Sequence, residues 1–190
     1  MAGVNSSPIR IPDQQALLNL VQRSSKSYLL IGSGPRLQYA DPEKAIRETV
    51  HLLKRDDREE SLILFGGDHA DDMNPDLGYL VRGVKRILSP KVRIVSVQSW
   101  EEYDPFIDYI YYYPQTFTDK TMNKEIWGGV IGGEPVAATA HYLSLKMQTS
   151  LSGVVCIGGG RIAQQEFAYA LNVGLTESHY IEAAPKYPRR

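Results

Sequence analysis

The sequence of 190 residues has one cysteine, no long apolar run and almost no net charge. Cys156 alone forms neither an intrachain disulfide nor a zinc site built on cysteines. No apolar run approaches the roughly 20 residues of a membrane span, and residues 1–12 lack the layout of a signal peptide. Lys plus Arg number 21 and Asp plus Glu number 22, which argues against general nucleic-acid binding. We therefore expect a cytoplasmic protein that binds neither membranes nor nucleic acids in general.

Two familiar phosphate-binding motifs are also missing. The first glycine-rich turn reads GSGP rather than GxGxxG, and no Gly-Lys-Ser/Thr occurs, so neither a typical Rossmann dehydrogenase nor a P-loop NTPase is indicated. The four histidines form no closely spaced pair. The acidic run DHADD at 68–72 invites a magnesium site, but consecutive aspartates more often solvate a loop. We expect neither a cofactor nor a metal ion.

Buried apolar runs alternate with amphipathic helical patterns along most of the chain. Each run is continuously apolar, as expected of strands covered on both faces, and the alternation implies right-handed crossovers. The predicted strands are 27–32, 61–66, 93–98, 153–160 and 179–183. The sequence therefore predicts an α/β fold, a Rossmann-like, doubly wound, mostly parallel sheet with helices on both faces. We expect residues 1–190 to form a single nucleotide-binding domain, with 1–12 as a loose N-terminal segment.

The middle of the chain is less regular. Tyrosines crowd residues 103–113, where 107–113 is either a strand or part of a long loop. We interpret this segment as a packed insertion near a site, whose tyrosines either stack on a base or pack in a core or interface. A glycine-rich strand or turn follows at 126–133, and a helix is predicted from Pro135.

Three predicted strands end in glycine-rich turns. In an open parallel sheet, ligands bind beyond the carboxyl ends of the strands, where glycine allows close approach and the next helix offers N–H groups to phosphate. Any one such turn is better explained by tight turning alone, but three at equivalent places favour a ligand site. The candidate nucleotide- and phosphate-binding residues are Gly32, Ser33, Gly34, Gly66, Gly67, Gly158, Gly159, Gly160 and Arg161.

The order of these motifs resembles the SLOG superfamily, in particular the LONELY GUY-type phosphoribohydrolases, a family that has also carried the name lysine decarboxylase. The resemblance rests on IGSGP at 31–35, LFGGD at 64–68 and IGGGRIAQQE at 157–166. The last of these matches the family hallmark Pro-Gly-Gly-x-Gly-Thr-x-Glu-Glu. Residues 166–170, EFAYA, also resemble the Glu-x-Gly-Tyr-Ala motif of nucleoside deoxyribosyltransferases. Both families cleave an N-glycosidic bond, and both resemblances select Glu166 as the functional glutamate.

The resemblance implies a small-molecule nucleotide or nucleoside partner, a homodimer, and hydrolysis or transfer at the N-glycosidic bond. A carboxylate can stabilise the charged sugar or attack it, while another group protonates the base. We expect Glu166 and Asp68 to be catalytic, although Asp68 is equally explained as a helix cap or turn residue.

Two other functions stay open. The hallmark threonine is absent, and its first glutamate is replaced by Gln164 or Gln165. These departures favour a non-catalytic nucleotide or ADP-ribose sensor. A protein-interaction scaffold with a degenerate pocket is the third possibility, which the tyrosine-rich segment favours.

Overall fold

The computed structural model describes residues 7–54, 60–98, 101–112, 129–131, 134–136, 151–172 and 174–187. The strands are β1 (Ile9–Arg10), β2 (Lys26–Gly32), β3 (Ser61–Phe65), β4 (Val92–Gln98), β5 (Tyr109–Tyr112), β6 (Gly129–Ile131), β7 (Glu134–Val136), β8 (Gly153–Ile157) and β9 (His179–Ile181). The helices are α1 (Gln14–Arg23), α2 (Pro42–Leu53), α3 (Leu77–Leu88) and α4 (Arg161–Asn172). No helix among these described residues is both long and apolar enough to cross a membrane.

Seven strands form one sheet in the order β1-β5-β4-β3-β2-β8-β9, and every neighbouring pair is parallel. Helices α1 and α4 contribute to the core on one face, and α2 and α3 contribute to the core on the other. The predicted doubly wound α/β architecture is therefore confirmed. Strands β6 and β7 form a separate antiparallel pair.

Aspartates begin three of the helices. Asp13, Asp41 and Asp76 each accept hydrogen bonds from backbone N–H groups of the first helical turn, which otherwise lack partners. Pro42 occupies the first position of α2, where its missing N–H has no consequence. These caps fix where α2 and α3 start, and hence how the loops before them approach the sheet.

The structure corrects three sequence-based expectations. Ile9–Arg10, within the segment predicted to be loose, pairs with β5 as an edge strand. The tyrosine-rich segment is not an insertion, because Tyr109–Tyr112 is a strand between β1 and β4, and Tyr111 belongs to the core. The helix predicted from Pro135 does not begin there, because Glu134–Val136 is a strand. The remainder of that predicted helix lies outside the described residues.

Candidate functional site

The site is positioned by the order of the strands. From β2 the chain proceeds through β3 and β4 on one side, whereas β8 and β9 lie on the other side. The direction in which successive strands are added therefore reverses between β2 and β8. The last residues of these two strands, Gly32 and Ile157, are paired. In open α/β sheets this switch point opens a ligand crevice at the carboxyl ends of the strands. We term the region beyond the ends of β2 and β8, bordered by turn 32–38 and turn 158–161, the crevice.

Tyr39 ties the two sides of the crevice together. Its Oη accepts a hydrogen bond from Ser33 N at 3.0 Å and donates one to Ile157 O at 2.9 Å. The ring is buried, and this burial raises the pKa of the hydroxyl above its ordinary value of 10.0. A Cβ at Gly32 would collide with this oxygen and lie 2.7 Å from Ile157 O. Glycine at position 32 is thus required by the fold itself.

The glycines of turn 158–161 are likewise required by packing. Gly158 and Gly159 have φ of +55° and +87°, in the left-handed region that favours glycine. A Cβ at Gly159 would lie 2.7 Å from Ala163 Cβ and 3.0 Å from Gly32 O, and one at Gly160 would lie 3.0 Å from Leu37 Cδ1. The two turns therefore pack directly on each other.

Gly34 and Gly66 differ from the other glycines of the turns. No heavy atom of the described residues lies within 4 Å of a Cβ built at either position, and neither has a positive φ. The fold places no demand for glycine there. Of the predicted binding glycines, these two leave open space for a ligand.

The glycine turn after β3, at residues 66–67, is connected to turn 32–38 by the first residues of α3. Gly67 has φ of +81° and packs against Ser96 and Gln98, on the side of β4. A Cβ at Gly78 would collide with the carbonyl of Asp68, so the loop after β3 lies on the first turn of α3. Leu77 N at that turn donates to Ser33 O at 2.9 Å.

Two carboxyl groups lie together at this helix start. Asp76 is buried, and its Oδ1 accepts from Gly78 N at 3.0 Å and from Tyr79 N at 3.4 Å. Burial, followed by the charge of Asp68, raises the pKa of Asp76 to about 6. Burial also raises the pKa of Asp68 itself. Of the predicted site residues, Asp68 thus adjoins α3, whereas Glu166 belongs to α4.

Glu166 is a buried carboxyl group with 7% exposure. It lies between Ala163 and Ala170, which belong to the core on the face of the sheet that carries Cys156. Removal from water raises the pKa of Glu166 to about 8. Helical side chains lean toward the N-terminus of their helix, and α4 begins at turn 158–161. At neutral pH most of this group is protonated.

Burial of Glu166 makes stability dependent on pH. The pKa is raised from 4.5 to about 8 on folding, so the cost of ionisation is absent at pH 4 and grows as pH rises toward 8. We expect Glu166→Gln to stabilise the protein by about 3 kcal/mol at pH 7 and to change little at pH 4. Urea unfolding at both pH values measures this difference, with exposed Glu182→Gln as the control. Equal pH dependence in Glu166→Gln and wild type would contradict the prediction.

Three exposed cationic residues lie on the segments that border the crevice. Arg161 is exposed at the first position of α4, where Arg36 and Lys186 are exposed on the two segments that adjoin turn 158–161. Among the residues that the structure describes, none of these three side chains forms an ion pair with a carboxylate. Their positive charge is available to an anionic ligand.

Segment 184–187 completes one wall of the crevice. Its backbone pairs with residues 37–40: Ala40 N donates to Ala184 O at 3.0 Å, and Tyr187 N donates to Leu37 O at 3.2 Å. The preceding residue, Ala183, would obstruct a Cβ at Gly158. Two segments that are far apart in the chain thus hold the two turns in place.

Residues 69–72 of the acidic run contact their own loop, α3 and residues 102–104. Asp71 accepts hydrogen bonds from Met73 N and Asn74 Nδ2, and Asp72 pairs with Arg82. His69 lies 3.6 Å from carboxylate oxygens of both Glu102 and Asp104. These contacts order the loop that leads into α3.

Comparisons with known proteins add similarities at low identity. No protein-family model and no curated protein matches the sequence. The solved structure of TM1055, a structural-genomics target, is similar at 17% identity with a TM-score of 0.46, covering 78% of this chain and 70% of that one. The molybdenum cofactor carrier protein of Chlamydomonas reinhardtii is similar at 12% identity with a TM-score of 0.42, covering 82% and 88%. Membership of the SLOG superfamily stays a prediction.

Three residues that shape the crevice were not predicted from the sequence. Asp76 carried a usable signal, because an aspartate directly before an apolar helical pattern is typical of a cap. Tyr39 and Gln38 carried none, since their roles depend on partners more than 30 positions away, Ile157 and Asn74.

Proposed function

We propose that the crevice binds a nucleotide or nucleoside and that the protein hydrolyses or transfers at its N-glycosidic bond, with Glu166 as the key carboxyl group. One observation carries the binding: the two turns at the switch point between β2 and β8 are held together by Tyr39 and leave open space at Gly34. Ligands of open α/β sheets bind at this place.

Phosphate recognition is assigned to the α4 end of the crevice. The first N–H groups of α4 have no partners within the helix, and its dipole is positive there. The exposed guanidinium of Arg161 begins this helix, and Arg36 and Lys186 stand on the segments beside it. Backbone donors and exposed cations together suit a phosphate group, which needs both directed hydrogen bonds and charge.

The proposed chemistry uses Glu166 as a proton donor. When the bond between C1′ and the base nitrogen breaks, its electron pair stays on the base, which must take up a proton. A carboxyl group with a pKa of about 8 still carries that proton at pH 7. Water, or an acceptor hydroxyl in a transfer reaction, then adds to C1′ and returns a proton to Glu166. Asp68 is proposed to face the positive charge of the sugar in its ionised form.

Base release tests the proposal. The protein is incubated with nucleosides, nucleoside monophosphates and NAD, and free base is measured by chromatography beside titrations of the same compounds. Base release supports the full proposal. Saturable binding without release would leave a non-catalytic sensor, and absence of both would leave the interaction scaffold. Light scattering tests the homodimer, which belongs to this proposal on the resemblance alone.

Open-space glycines provide a sharper test of binding. We expect Gly34→Ala and Gly66→Ala to change the free energy of unfolding by less than about 0.5 kcal/mol, because no described atom contacts the added methyl group. The methyl group at Gly34 would enter the crevice, so the nucleotide affinity of Gly34→Ala is expected to fall at least about 10-fold, a cost of about 1.4 kcal/mol. A similar fall in Gly66→Ala would extend the site to the turn after β3. Calorimetric titration and urea unfolding measure the two effects separately. Unchanged affinity in Gly34→Ala would move the ligand away from turn 32–38.

A further inference from the structure

Gln38 combines three unusual features in one residue. Among the described residues it is the one non-glycine with a positive φ, at 51°. Its side chain is polar but only 6% exposed. Its Oε1 is buried and has no hydrogen-bond partner within the described part of the chain. An unmade hydrogen bond of this kind destabilises the folded protein, and left-handed backbone at a non-glycine residue adds further strain.

A chain of hydrogen bonds determines which atom of the Gln38 side-chain amide has no hydrogen-bond partner. Its Nε2 donates to Pro35 O at 3.2 Å and to Asn74 Oδ1 at 2.9 Å. Asn74 is itself oriented, because its Nδ2 donates to a carboxylate oxygen of Asp71 at 2.5 Å. That hydrogen bond lowers the pKa of Asp71, so the carboxylate only accepts. The atom without a partner is therefore an acceptor, and it needs a donor.

A second unpartnered atom lies at the other end of the same turn. Ser33 is fully buried, and its Oγ forms no hydrogen bond of normal geometry with a described residue, although the hydroxyl lies close enough to Tyr39 to oppose the rise in that group's pKa. Ser33 and Gln38 bound the turn that forms one side of the crevice, and Gln38 N donates to Gly34 O at 3.1 Å. Leu37, beside Gln38, contacts Gly160 on the opposite side. Both atoms belong to the turn that also holds the open space at Gly34.

We propose that Ser33 and Gln38 form a subsite for the sugar hydroxyl groups of the ligand. A phosphate oxygen cannot satisfy Gln38 Oε1, since both are acceptors. A hydroxyl group both donates and accepts, so a pair of sugar hydroxyls satisfies the amide oxygen and the serine oxygen together. The inference rests on the proposed function and deepens it: the phosphate lies at α4 and the sugar at turn 32–38. It makes the ligand a ribonucleotide rather than a deoxyribonucleotide.

The test compares sugars at constant base and phosphate. Calorimetric titrations use the four ribonucleoside monophosphates, then the 2′-deoxy and 2′,3′-dideoxy forms of the tightest one. We expect wild type to lose at least about 10-fold in affinity on removal of the hydroxyls, and Gln38→Met to bind all three forms alike. Asn74→Leu, an exposed substitution that releases the amide to rotate, is expected to weaken the discrimination while Gln38 remains.

Gln98 provides the matched control. It is also a fully buried glutamine, but its Oε1 accepts from Ser96 Oγ and its Nε2 donates to Glu102 O. Gln98→Met is expected to reduce stability and to keep the sugar discrimination.

The other possible outcomes of these titrations reject either the sugar subsite alone or the subsite together with the proposed function. Equal discrimination by wild type and Gln38→Met would mean that internal water satisfies the amide, and the inference would fail while the proposed function stands. Wild type that distinguishes amino from oxo bases but not sugars would also reject the subsite. Absence of binding to every ribonucleoside monophosphate would reject the subsite, and absence of binding to nucleosides and NAD as well would reject the proposed function.

Discussion

Glu166→Gln is expected to lower the rate of base release by about 100- to 10,000-fold while the nucleotide still binds. The substitution keeps the size of the side chain but removes the proton, and general acid catalysis contributes about this much. Because burial raises the pKa of Glu166 to about 8, the rate in wild type should also fall as pH increases through about 8. Initial rates of base release at pH 6, 7, 8 and 9 measure both effects.

The second proposed catalytic carboxyl group, Asp68, separates the possible roles. Asp68→Asn removes the charge proposed to face the sugar and leaves the proton of Glu166 in place. The rate of base release by Asp68→Asn is expected to be lower than that of wild type. It should still decrease as pH rises through about 8, because Glu166 is unchanged. Base release by Glu166→Gln at the rate of wild type would place the catalytic acid elsewhere, and the site assignment would be wrong even if the protein is an N-glycosidase.

Gly159→Ala is expected to destabilise the protein by about 2–5 kcal/mol, a large part of the 5–15 kcal/mol typical of a folded domain. Left-handed backbone costs about 1–2 kcal/mol for a residue with a Cβ. The added methyl group would also lie 2.7 Å from Ala163 Cβ and 3.0 Å from Gly32 O, and such overpacking costs typically about 1–3 kcal/mol. The free energy of unfolding in urea measures the sum.

Gly174→Ala isolates the backbone contribution. Gly174 ends α4 with φ of +82°, but no described atom lies within 4 Å of a Cβ built there. Its expected loss is therefore only the backbone cost of about 1–2 kcal/mol. A loss for Gly159→Ala that equals that for Gly174→Ala would show that the two turns separate freely and that the crevice is not rigidly built.

The sheet could be predicted because each strand has a recognisable pattern in its own consecutive residues. A parallel strand covered on both faces is a continuous apolar run, and β3 shows this pattern in the four consecutive residues from Leu62 to Phe65. Tyr109–Tyr112 was harder, because tyrosine suits a strand, a core or a ligand-stacking loop equally well. Only its pairing with β4 and β1 decides between these interpretations. That pairing joins segments that are separated in the sequence, so the local pattern does not reveal it. The edge strand Ile9–Arg10 depends on the same pairing.

The site was predictable in place but not in detail. Glycine after an apolar run marks the end of a strand, so the turns at 32–34 and 158–161 could be found from sequence. The sequence does not distinguish Gly159, which packing requires, from Gly34, which it does not. Nor does it reveal that Glu166 is buried, since a glutamate five positions into a helix is usually exposed. The packing around Gly159 and the burial of Glu166 both result from the packing of α4 against the sheet.

The pairing of segment 184–187 with residues 37–40 has a consequence for protein synthesis. Gly32 pairs with Ile157, which lies 125 positions later, and the second wall of the crevice follows almost 30 residues after that. At about 5–20 residues per second, a ribosome takes roughly 6–25 seconds between making β2 and making β8. During that interval β2 has one unprotected edge, so the nascent chain is open to aggregation and to chaperones. Its ligand can help only after segment 184–187 has been made.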